Sequence, residues 1–410
     1  MAVALTLLVG CEDQNEVIHN FYRPYTFSKT YPVYLDASDI LVDIQVTLPV
    51  PIHEAFKIVS NDAFFFVGEK MRGIHVFEKV DEGHANPLCF IECKHLKAFD
   101  VAGDLLYANN FADLLAIDVK NPQQAAIVHR EHDYFNHYVN VYTNVDYNIP
   151  KVNIDNQVDA YLIGYNHLIF TGTETDVNPM PDFSAYDNLY NMAVVKEIPD
   201  TIPWEKPYVG FANVEGEMFT LGDRFLAQCA ITSYGLQVNQ IAIDIPNFTS
   251  FVPIDNLQYK NNTICVSWRY GLLYSDMDTF TQNKSFQLLG MGQASDVTPV
   301  AEPANSFVFL YFYDMIWVLA ETDTYTYFYT PSNGATSLMS KNDTLIALGD
   351  KLSLYRFRSQ SSSPIEEITS YSSISGDAML REGNTLIVAN RRGGLSFYDI
   401  SKLNNITPLQ

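Results

Sequence analysis

The chain has 410 residues, of which 47% are hydrophobic and 18% are charged. This balance argues against a disordered chain and against a bundle of membrane-spanning helices. The 48 acidic and 25 basic residues give a formal net charge of −23, which argues against a nucleic-acid partner because phosphate contacts need a basic surface. The 26 tyrosines and 26 phenylalanines favour strands over helices.

The first residues predict a lipid anchor. An apolar run from Met1 to Leu8 is followed by Gly10 and Cys11, the pattern of a bacterial lipobox, in which a small residue permits cleavage and the cysteine thiol receives diacylglycerol. No basic segment precedes the run, which we interpret as a start codon assigned too late. The alternative is a buried strand that ends at a cysteine by chance. Residues 1–11 are therefore predicted to be a lipoprotein signal peptide.

Residues 12–43 are predicted to be a tether and N-terminal segment. The tether begins with Glu12-Asp13-Gln14-Asn15-Glu16, which resembles the acidic export signal of surface lipoproteins in some Gram-negative bacteria. It predicts attachment to the outer membrane and leaves open whether the protein faces the periplasm or the cell surface. One helical turn is expected at Ala37–Leu41.

A repeat of about 40 residues fills positions 44–410. Each copy has an apolar strand, a turn of Asn, Gly or Asp, a second strand, a loop and a third strand. Such turns between apolar runs are typical of β-hairpins. The clearest copies lie at 56–77, 99–119 and 378–400. The first turns fall at positions 61, 103, 222, 262, 305, 342 and 383, and such spacing is typical of four-stranded blades. We therefore predict an all-β chain that forms a single β-propeller.

The step of 119 residues between positions 103 and 222 leaves the blade count open. It fits either an eighth blade around residues 166–170 or seven blades with an excursion, read as loop, at about 136–200. We favour seven. The last copy stops after its third strand at Ile400, so we expect residues 44–50 to supply the missing outer strand and close the ring.

Three parts of the sequence resemble a known family, the LVIVD-repeat β-propeller lipoproteins of Gram-negative bacteria. The residues that carry the resemblance are Gly394–Ser401, Leu114–Val119 with Asn121-Pro122, and Tyr31–Leu35 with Gly73–Phe77 and Asn86-Pro87. The resemblance implies a propeller on a lipid anchor and implies no reaction.

Cysteines and histidines give no sign of a metal or a disulfide framework. Cys89, Cys93, Cys229 and Cys265 contain no Cys-x-x-Cys pair and are expected to be buried free thiols. His129, His132 and His137 cluster, but the first two would face opposite sides of a strand. His75 lies in an apolar strand, where a hydrogen-bonded structural role is expected. No cofactor is predicted.

Arginines precede the glycine that opens the third strand in several copies, namely Arg72, Arg269, Arg391 and Arg392. Equivalent turns of a propeller share one face, so these side chains are predicted to converge around the channel and to bind carboxylate, phosphate or sugar groups. The alternative is exposed turn arginines that pair with neighbouring acids.

Tyrosines crowd the start of the excursion at Tyr134, Tyr138 and Tyr142. Exposed, they would form a stacking platform for a sugar or a protein. Buried, they would pin the excursion to the disc.

Two functions remain open at this point. The first is a non-catalytic binding or scaffold module at the cell envelope, monomeric, with a protein or glycan ligand. The alternative is a hydrolase or lyase acting on carbohydrate with carboxylates at the channel mouth. A close pair of carboxylates, one with a raised pKa, would favour the enzyme.

Overall fold

A computed structural model describes the chain with gaps. It covers residues 23–40, 42–135, 138–140, 146–148, 152–154, 158–174, 193–195, 209–221, 225–232, 235–242, 254–260, 262–268, 271–276, 287–290, 294–300, 306–311, 315–320, 326–331, 334–341, 344–357, 365–390 and 393–409.

The described secondary structure is almost entirely β. In chain order it comprises β1 (Arg23–Asp36), α1 (Ala37–Ile40), β2 (Gln45–Thr47), β3 (Ala55–Ser60), β4 (Phe64–Glu69), β5 (Gly73–Asp81), β6 (His84–Glu92), β7 (Phe99–Ala102), β8 (Leu105–Asn110), β9 (Asp113–Asp118), a 3-10 turn (Pro122–Gln124), β10 (Ala126–Glu131), β11 (Tyr138–Asn140), β12 (Asp146–Asn148), β13 (Val152–Ile154), β14 (Val158–Glu174), β15 (Ala193–Val195), β16 (Phe211–Val214), β17 (Glu217–Leu221), β18 (Phe225–Thr232), β19 (Gly235–Ala242), β20 (Ile254–Lys260), β21 (Thr263–Trp268), β22 (Gly271–Asp276), β23 (Gln287–Gly290), β24 (Ala294–Val300), β25 (Ser306–Tyr311), β26 (Met315–Ala320), β27 (Thr326–Pro331), β28 (Ser337–Lys341), β29 (Thr344–Leu348), β30 (Leu352–Phe357), β31 (Ile365–Tyr371), β32 (Ala378–Glu382), β33 (Thr385–Asn390), β34 (Gly394–Asp399) and β35 (Thr407–Pro408).

Seven meandering sheets form the blades of a β-propeller, which confirms the predicted fold class. Blade 1 is β3–β6, blade 2 is β7–β10, blade 3 is β16–β19, and blades 4 to 7 are β20–β23, β24–β27, β28–β31 and β32–β35. The first strand of each blade contacts the first strand of the next, and β3 contacts β32, so the contacts return to their starting point. The first strands therefore surround the axis.

The two faces of the disc follow from the strand order. In every blade the turn between the second and third strands lies at one end, here called the upper face (residues 70–72 in blade 1). The turn between the first and second strands lies at the other end, the lower face (residues 61–63 in blade 1).

Asn and Gly close the lower turns for two different reasons. The Asn61 side chain accepts hydrogen bonds from the backbone N–H groups of Ala63 and Phe64, at 3.1 and 2.8 Å, and so replaces ladder bonds that the turn removes. Gly103 and Gly383 have φ of 59° and 58°, in the left-handed region that a residue with a Cβ rarely adopts. The turns that punctuate the sequence repeat therefore have a conformational cause.

One predicted turn is misplaced. The first turn of blade 3 is Glu215-Gly216, between β16 and β17, whereas position 222 falls after β17, at the following turn. The strand Phe211–Val214 has only four residues and does not stand out in the sequence as an apolar strand. The predicted turn was therefore placed after the second strand of the blade and not after the first.

One lysine side chain connects the innermost strands of the first three blades. Lys57 Nζ donates to the carbonyl oxygens of Phe99 at 3.0 Å and Phe211 at 3.3 Å, and to the Asp100 carboxylate at 2.7 Å. These acceptors belong to blades 2 and 3. The lysine therefore joins three blades at the axis.

The long step in the repeat contains a separate sheet and not an eighth blade. Residues 166–170 belong to β14, which pairs with β1 in a four-stranded sheet of order β13-β14-β1-β15. We call this the accessory sheet. The loop interpretation of residues 136–200 was therefore wrong for β11–β15, because the partner of β14 lies more than a hundred residues earlier in the chain and no local pattern reveals it. The helical turn expected near Ala37 is present as α1.

The predicted mode of ring closure is wrong. Residues 45–47 do form a strand, but β2 pairs with β6 and extends blade 1 to five strands, with Val46 opposite Ile91. The outer strand of blade 7 is β35, from the C-terminal tail. Ile406 is buried and holds the tail in place, and a two-residue strand is too short for a sequence pattern to show.

Side-chain packing closes the ring between blades 7 and 1, along what we call the seam. The Phe65 and Phe397 rings lie 5.8 Å apart, within one cluster that also contains Ile58, Val67 and Ile387. Polar contacts lie beside it. Glu382 of blade 7 accepts hydrogen bonds from the Ser60 hydroxyl and from Lys79 Nζ, the latter at 2.7 Å. No strand needs to be exchanged for the two end blades to meet.

The seam predicts a large loss of stability for one substitution and a small loss for another. Phe397→Ala should lower the free energy of unfolding by about 3–5 kcal/mol, because it opens a cavity between the end blades. Val46→Pro should cost less than about 2 kcal/mol, because it disturbs only an added edge strand. Guanidinium chloride unfolding measures both. If Val46→Pro were the more damaging change, β2 would be the element that closes the ring.

Candidate functional site on the upper face

A buried carboxylate organises the upper end of blade 1. Glu69, the last residue of β4, accepts hydrogen bonds from the backbone N–H groups of His53 and Glu54 and from the Arg72 guanidinium. His75 Nε2 lies 3.3 Å from Glu69 Oε2, and both side chains are almost fully buried. The carboxylate is therefore surrounded by donors, as a buried charge must be.

This environment shifts the pKa of both titratable groups. Burial acts to raise the pKa of Glu69, but the hydrogen bonds from His53 and Glu54 and the charges of His75 and Arg72 outweigh it, so the net pKa is lowered. Burial lowers the pKa of His75, and the nearby Glu69 only partly opposes that effect. His75 is buried beside Glu69, but its Nε2 atom has no hydrogen-bond partner, so the hydrogen-bonded role expected from the sequence is not confirmed for this atom.

Arg72 lies at the predicted turn of the upper face, but its guanidinium is engaged. It pairs with Glu69 and lies 5.9 Å from the centroid of the Phe90 ring in β6, with 44% of the side chain exposed. Phe90 belongs to the outermost of the four strands that meander through blade 1. Arg72 therefore fits the alternative interpretation, in which a turn arginine pairs with a neighbouring acid.

The other three arginines, Arg269, Arg391 and Arg392, lie outside the described residues. The described strands that follow them in sequence begin at Gly271 and Gly394. Their convergence on a ligand stays a prediction.

A second buried carboxylate organises the upper end of blade 2. Asp113 opens β9, and its side chain is 3% exposed. It accepts hydrogen bonds from Arg130 Nη1 at 3.1 Å, from the His132 ring at 2.9 Å and from the backbone N–H of Asp133 at 3.0 Å. Arg130 also donates to the carbonyl oxygen of Val42 at 3.2 Å. We call this group the Asp113 cluster.

The Asp113 cluster fixes the accessory sheet to the disc. The Tyr161 hydroxyl of β14 donates to the Asp133 carboxylate. Beside this bond, Val33 and Leu35 of β1 pack with Phe111 of blade 2 in a buried apolar group, and the Phe111 and Tyr161 rings are 5.0 Å apart. Sequence reasoning missed Asp113 and Arg130, because nothing distinguishes them locally from ordinary polar residues at strand ends.

A small groove lies between blade 1 and blade 2 beside this attachment. Its volume is about 140 Å³, and its lining comprises Val42, Asp43, Ile44, Gln45, Glu92, Cys93, Lys94 and Asn110. Val42 is 38% exposed, and Leu48, just after β2, is 84% exposed. The groove thus has charged and apolar groups at its margins.

Tyr134 lies between blades 2 and 3. Its hydroxyl is 3.5 Å from Thr220 Oγ1 and 3.9 Å from Cys229 Sγ, both in blade 3, and burial raises its pKa. Its ring meets that of Phe135 edge to face at 4.9 Å. Tyr134 therefore fits the second hypothesis, in which the tyrosine attaches the excursion to the disc. The side chains of Tyr138 and Tyr142 lie outside the described residues, so the aromatic platform stays a prediction.

The four thiols are buried and form no disulfide, as expected. Burial raises the pKa of Cys89 to about 11 and that of Cys93 to about 12, and Cys229 and Cys265 are also buried. Over the described ranges, no three His, Cys, Asp or Glu side chains are grouped so as to hold a metal ion. Cys11 falls outside those ranges.

The carboxylate arrangement expected of a carbohydrate hydrolase is not seen in the described part of the chain. The carboxyl groups with a shifted pKa there are Glu69 and Asp399, and both shifts are downward. For Asp399 the cause is hydrogen bonding from Ser401. No helix in the same ranges has the length and apolarity to cross a bilayer.

No family model matches the sequence, and no curated protein is detectably similar to it. The architecture of the chain is distantly similar to that of many solved structures. The WD40 β-propeller domain of Doa1 has a TM-score of 0.46 and 8% identity over 88% of this chain and 98% of that one. BamB from Moraxella catarrhalis has a TM-score of 0.41 and 10% identity over the same shares. Similarity this distant says nothing about ligands, and the fold assignment follows from the strand order.

The Glu69–His75 pair predicts acid sensitivity. Because the folded pKa of His75 lies below its ordinary value of 6.5, the neutral ring stabilises the fold above pH 6.5, and this contribution is lost as pH falls below that value. The lowered pKa of Glu69 adds a further loss below its ordinary value of 4.5. Unfolding measured from pH 8 to pH 4 should therefore show a falling free energy.

His75→Gln should flatten the upper part of that pH profile, while His84→Gln, at an exposed site, should leave it unchanged. Equal profiles for the two variants would show that His75 does not control the acid response.

The Asp113 cluster predicts that Asp113→Asn loosens the accessory sheet. The change removes the buried counter-charge of Arg130 and leaves it with the longer 3.5 Å contact to the exposed Asp43, and breaking a buried pair costs about 3–5 kcal/mol. Amide hydrogen exchange in residues 23–36 and 158–174 should speed up more than exchange in blades 4 to 7. Asp118→Asn, at an exposed turn, is the matched control, and similar exchange in both variants would contradict the assignment.

Proposed function

We propose that this chain is a lipid-anchored, non-catalytic binding module of the bacterial cell envelope, kin to the LVIVD-repeat lipoproteins, and that its ligand is a protein. The fold is consistent with a binding or scaffold role. The lipobox at Cys11 supports the anchor, and the acidic residues after it support an outer-membrane location.

One observation carries the proposed function. The ring closes through the seam without help from the accessory sheet, yet the chain fixes that sheet to the upper face through the Asp113 cluster. Because the ring does not need the accessory sheet for closure, we infer that the sheet is held in place to bind a ligand. Binding surfaces on propellers are built in this way, by loops and insertions on a rigid scaffold.

Two features favour a protein over a glycan as the ligand. The short edge strand β2 exposes one side of its backbone next to the groove, and apolar side chains at Val42 and Leu48 are exposed nearby. A strand edge with apolar neighbours suits an extended peptide. Arg72 and Tyr134, two of the residues that the sequence offered for binding a sugar, are engaged by Glu69 and by blade 3.

Photo-cross-linking in the producing cell tests the binding face. A benzoylphenylalanine residue at Val42, on the upper face, should give a discrete higher-mass adduct that contains a second protein. The same residue at Val80, exposed on the lower face, should not. Adducts from position 80 alone would contradict the choice of face. Adducts that deglycosylation removes would contradict the choice of a protein ligand.

Metabolic labelling tests the anchor separately. Cys11→Ala should abolish incorporation of an alkyne fatty acid and move the protein from the membrane to the soluble fraction. Cys265→Ala, at a buried thiol, should remain labelled and membrane-bound. Unchanged labelling of Cys11→Ala would remove the anchor from the proposal.

A further inference from the structure

The edge strand β2 leaves one side of its backbone open. It pairs with β6 from Gln45 opposite Glu92 to Thr47 opposite Phe90, and no described strand pairs with its other side. Proteins usually protect such an edge with charged residues or proline, because an open edge pairs readily with another strand. Residues 44–48 contain neither a charged residue nor a proline, although the whole chain carries a charge of −23. The edge of β2 is therefore unprotected.

Alternate residues along β2 lie on the side of the groove. Ile44 and Val46 pack against the apolar cluster between blades 1 and 2, and Ile44 lines the groove together with Val42. The same alternation places Leu48 on that side of the strand. Leu48 is nevertheless 84% exposed, the highest value among the large apolar side chains described. The strand therefore has an apolar groove at one end and an uncovered leucine at the other.

A second copy of the chain fits this edge by symmetry. When two identical strands pair antiparallel about a twofold axis through their middle residue, each residue faces the residue equally far from the centre on the other strand. The middle residue of β2 is Val46. With the axis there, Leu48 of each copy lies opposite Ile44 of the other and therefore beside the groove of the other. One symmetric contact covers both exposed leucines.

Charge and size both suit this arrangement. Like charges directly opposite one another would destabilise a strand pair, but the pairs formed within residues 44–48 are uncharged, and Asp43 would lie opposite Pro49 of the second copy. The groove has a volume of about 140 Å³, below the roughly 300–1,000 Å³ of small-molecule sites. Its size therefore favours one inserted side chain over a small molecule.

We infer that the protein partner at this surface is a second copy of the chain, held by antiparallel pairing of the two β2 strands with Leu48 of each copy in the groove of the other. The inference rests on the binding surface of the proposed function and names its partner, but it does not depend on the lipid anchor. It replaces the monomer expected from the sequence. Because each β2 has only three residues, the interface is small, and the dimer should form only above about 1 µM.

Sedimentation equilibrium of the full chain carrying Cys11→Ala tests the dimer without any contribution from a lipid. Between about 1 µM and about 500 µM this protein should pass from monomer to dimer. Adding Leu48→Asp should raise the Kd by about tenfold or more, because a charge would enter the apolar groove. Adding instead Val80→Asp, at an exposed apolar site on the lower face, should leave the Kd within about twofold. Salt should strengthen the dimer, because it screens the repulsion between two chains of charge −23.

Cysteine cross-linking tests the register in the same background. Chains with Ile44→Cys and chains with Leu48→Cys should form a disulfide with each other when they are mixed and oxidised, because directly opposite residues have Cβ atoms about 4.5–5.5 Å apart. Neither variant should cross-link with itself, because its two cysteines would lie four positions apart along the strands, about 14 Å. The native thiols at Cys89 and Cys93 are buried with a raised pKa and should not react. Circular dichroism and thermal unfolding verify that every variant folds.

Three outcomes overturn the inference: a chain that stays monomeric up to the highest concentration, equal effects of Leu48→Asp and Val80→Asp on the Kd, or self-cross-linking of Ile44→Cys without cross-linking to Leu48→Cys. If the adduct formed at position 42 in the cell contained a different protein while the purified chain stayed monomeric, the inference would fail and the proposed function would be supported. Failure of the inference and failure of the proposed function are therefore distinguishable.

Discussion

The structure depends on one constraint, that every blade has two apolar faces and needs a neighbour on each. Six of the seven contacts between blades join blades that follow one another in chain order, but the seventh must join the first blade to the last. Phe65 and Phe397 meet there across more than three hundred residues, and Lys79 and Ser60 both reach Glu382. Because hydrophobic burial is non-directional, this seam closes without the shared strand that would tie the ends of the chain into one sheet.

Because apolar packing closes the ring, the buried charges are available to position other groups on the disc. Glu69 and Asp113 occupy comparable positions at the upper ends of blades 1 and 2. Glu69 accepts hydrogen bonds from two backbone N–H groups and an arginine, and Asp113 from one backbone N–H, an arginine and a histidine. A buried carboxylate with this many donors is costly to disturb. The two networks hold Arg72, His75 and the accessory sheet in defined positions on one side of the disc. The lower face is held by turn chemistry, with Asn61 donating to the carbonyl oxygen of Gly103 in the next blade.

Local periodicity predicted the blades well because blade strands are local. The copies at 56–77, 99–119 and 378–400 correspond to three consecutive strands each, and Asn61 and Gly383 mark real turns. The same reasoning failed where a partner is distant. The pairing of β1 with β14 and of β2 with β6, and the choice of β35 as the last strand, depend on which surfaces meet in three dimensions. The site was predicted less well than the fold, since Asp113 has no local signature.

The central claim is that blades 1 and 7 meet by packing at the seam. The most direct measurement is a nuclear Overhauser effect between the rings of Phe65 and Phe397 in a protein with labelled phenylalanine, assigned with a conservative Phe397→Leu variant. The account predicts a cross-peak, because the ring centroids are 5.8 Å apart, and its loss in the variant. Absence of the cross-peak in the folded protein, together with backbone contacts between residues 45–47 and β34, would contradict it.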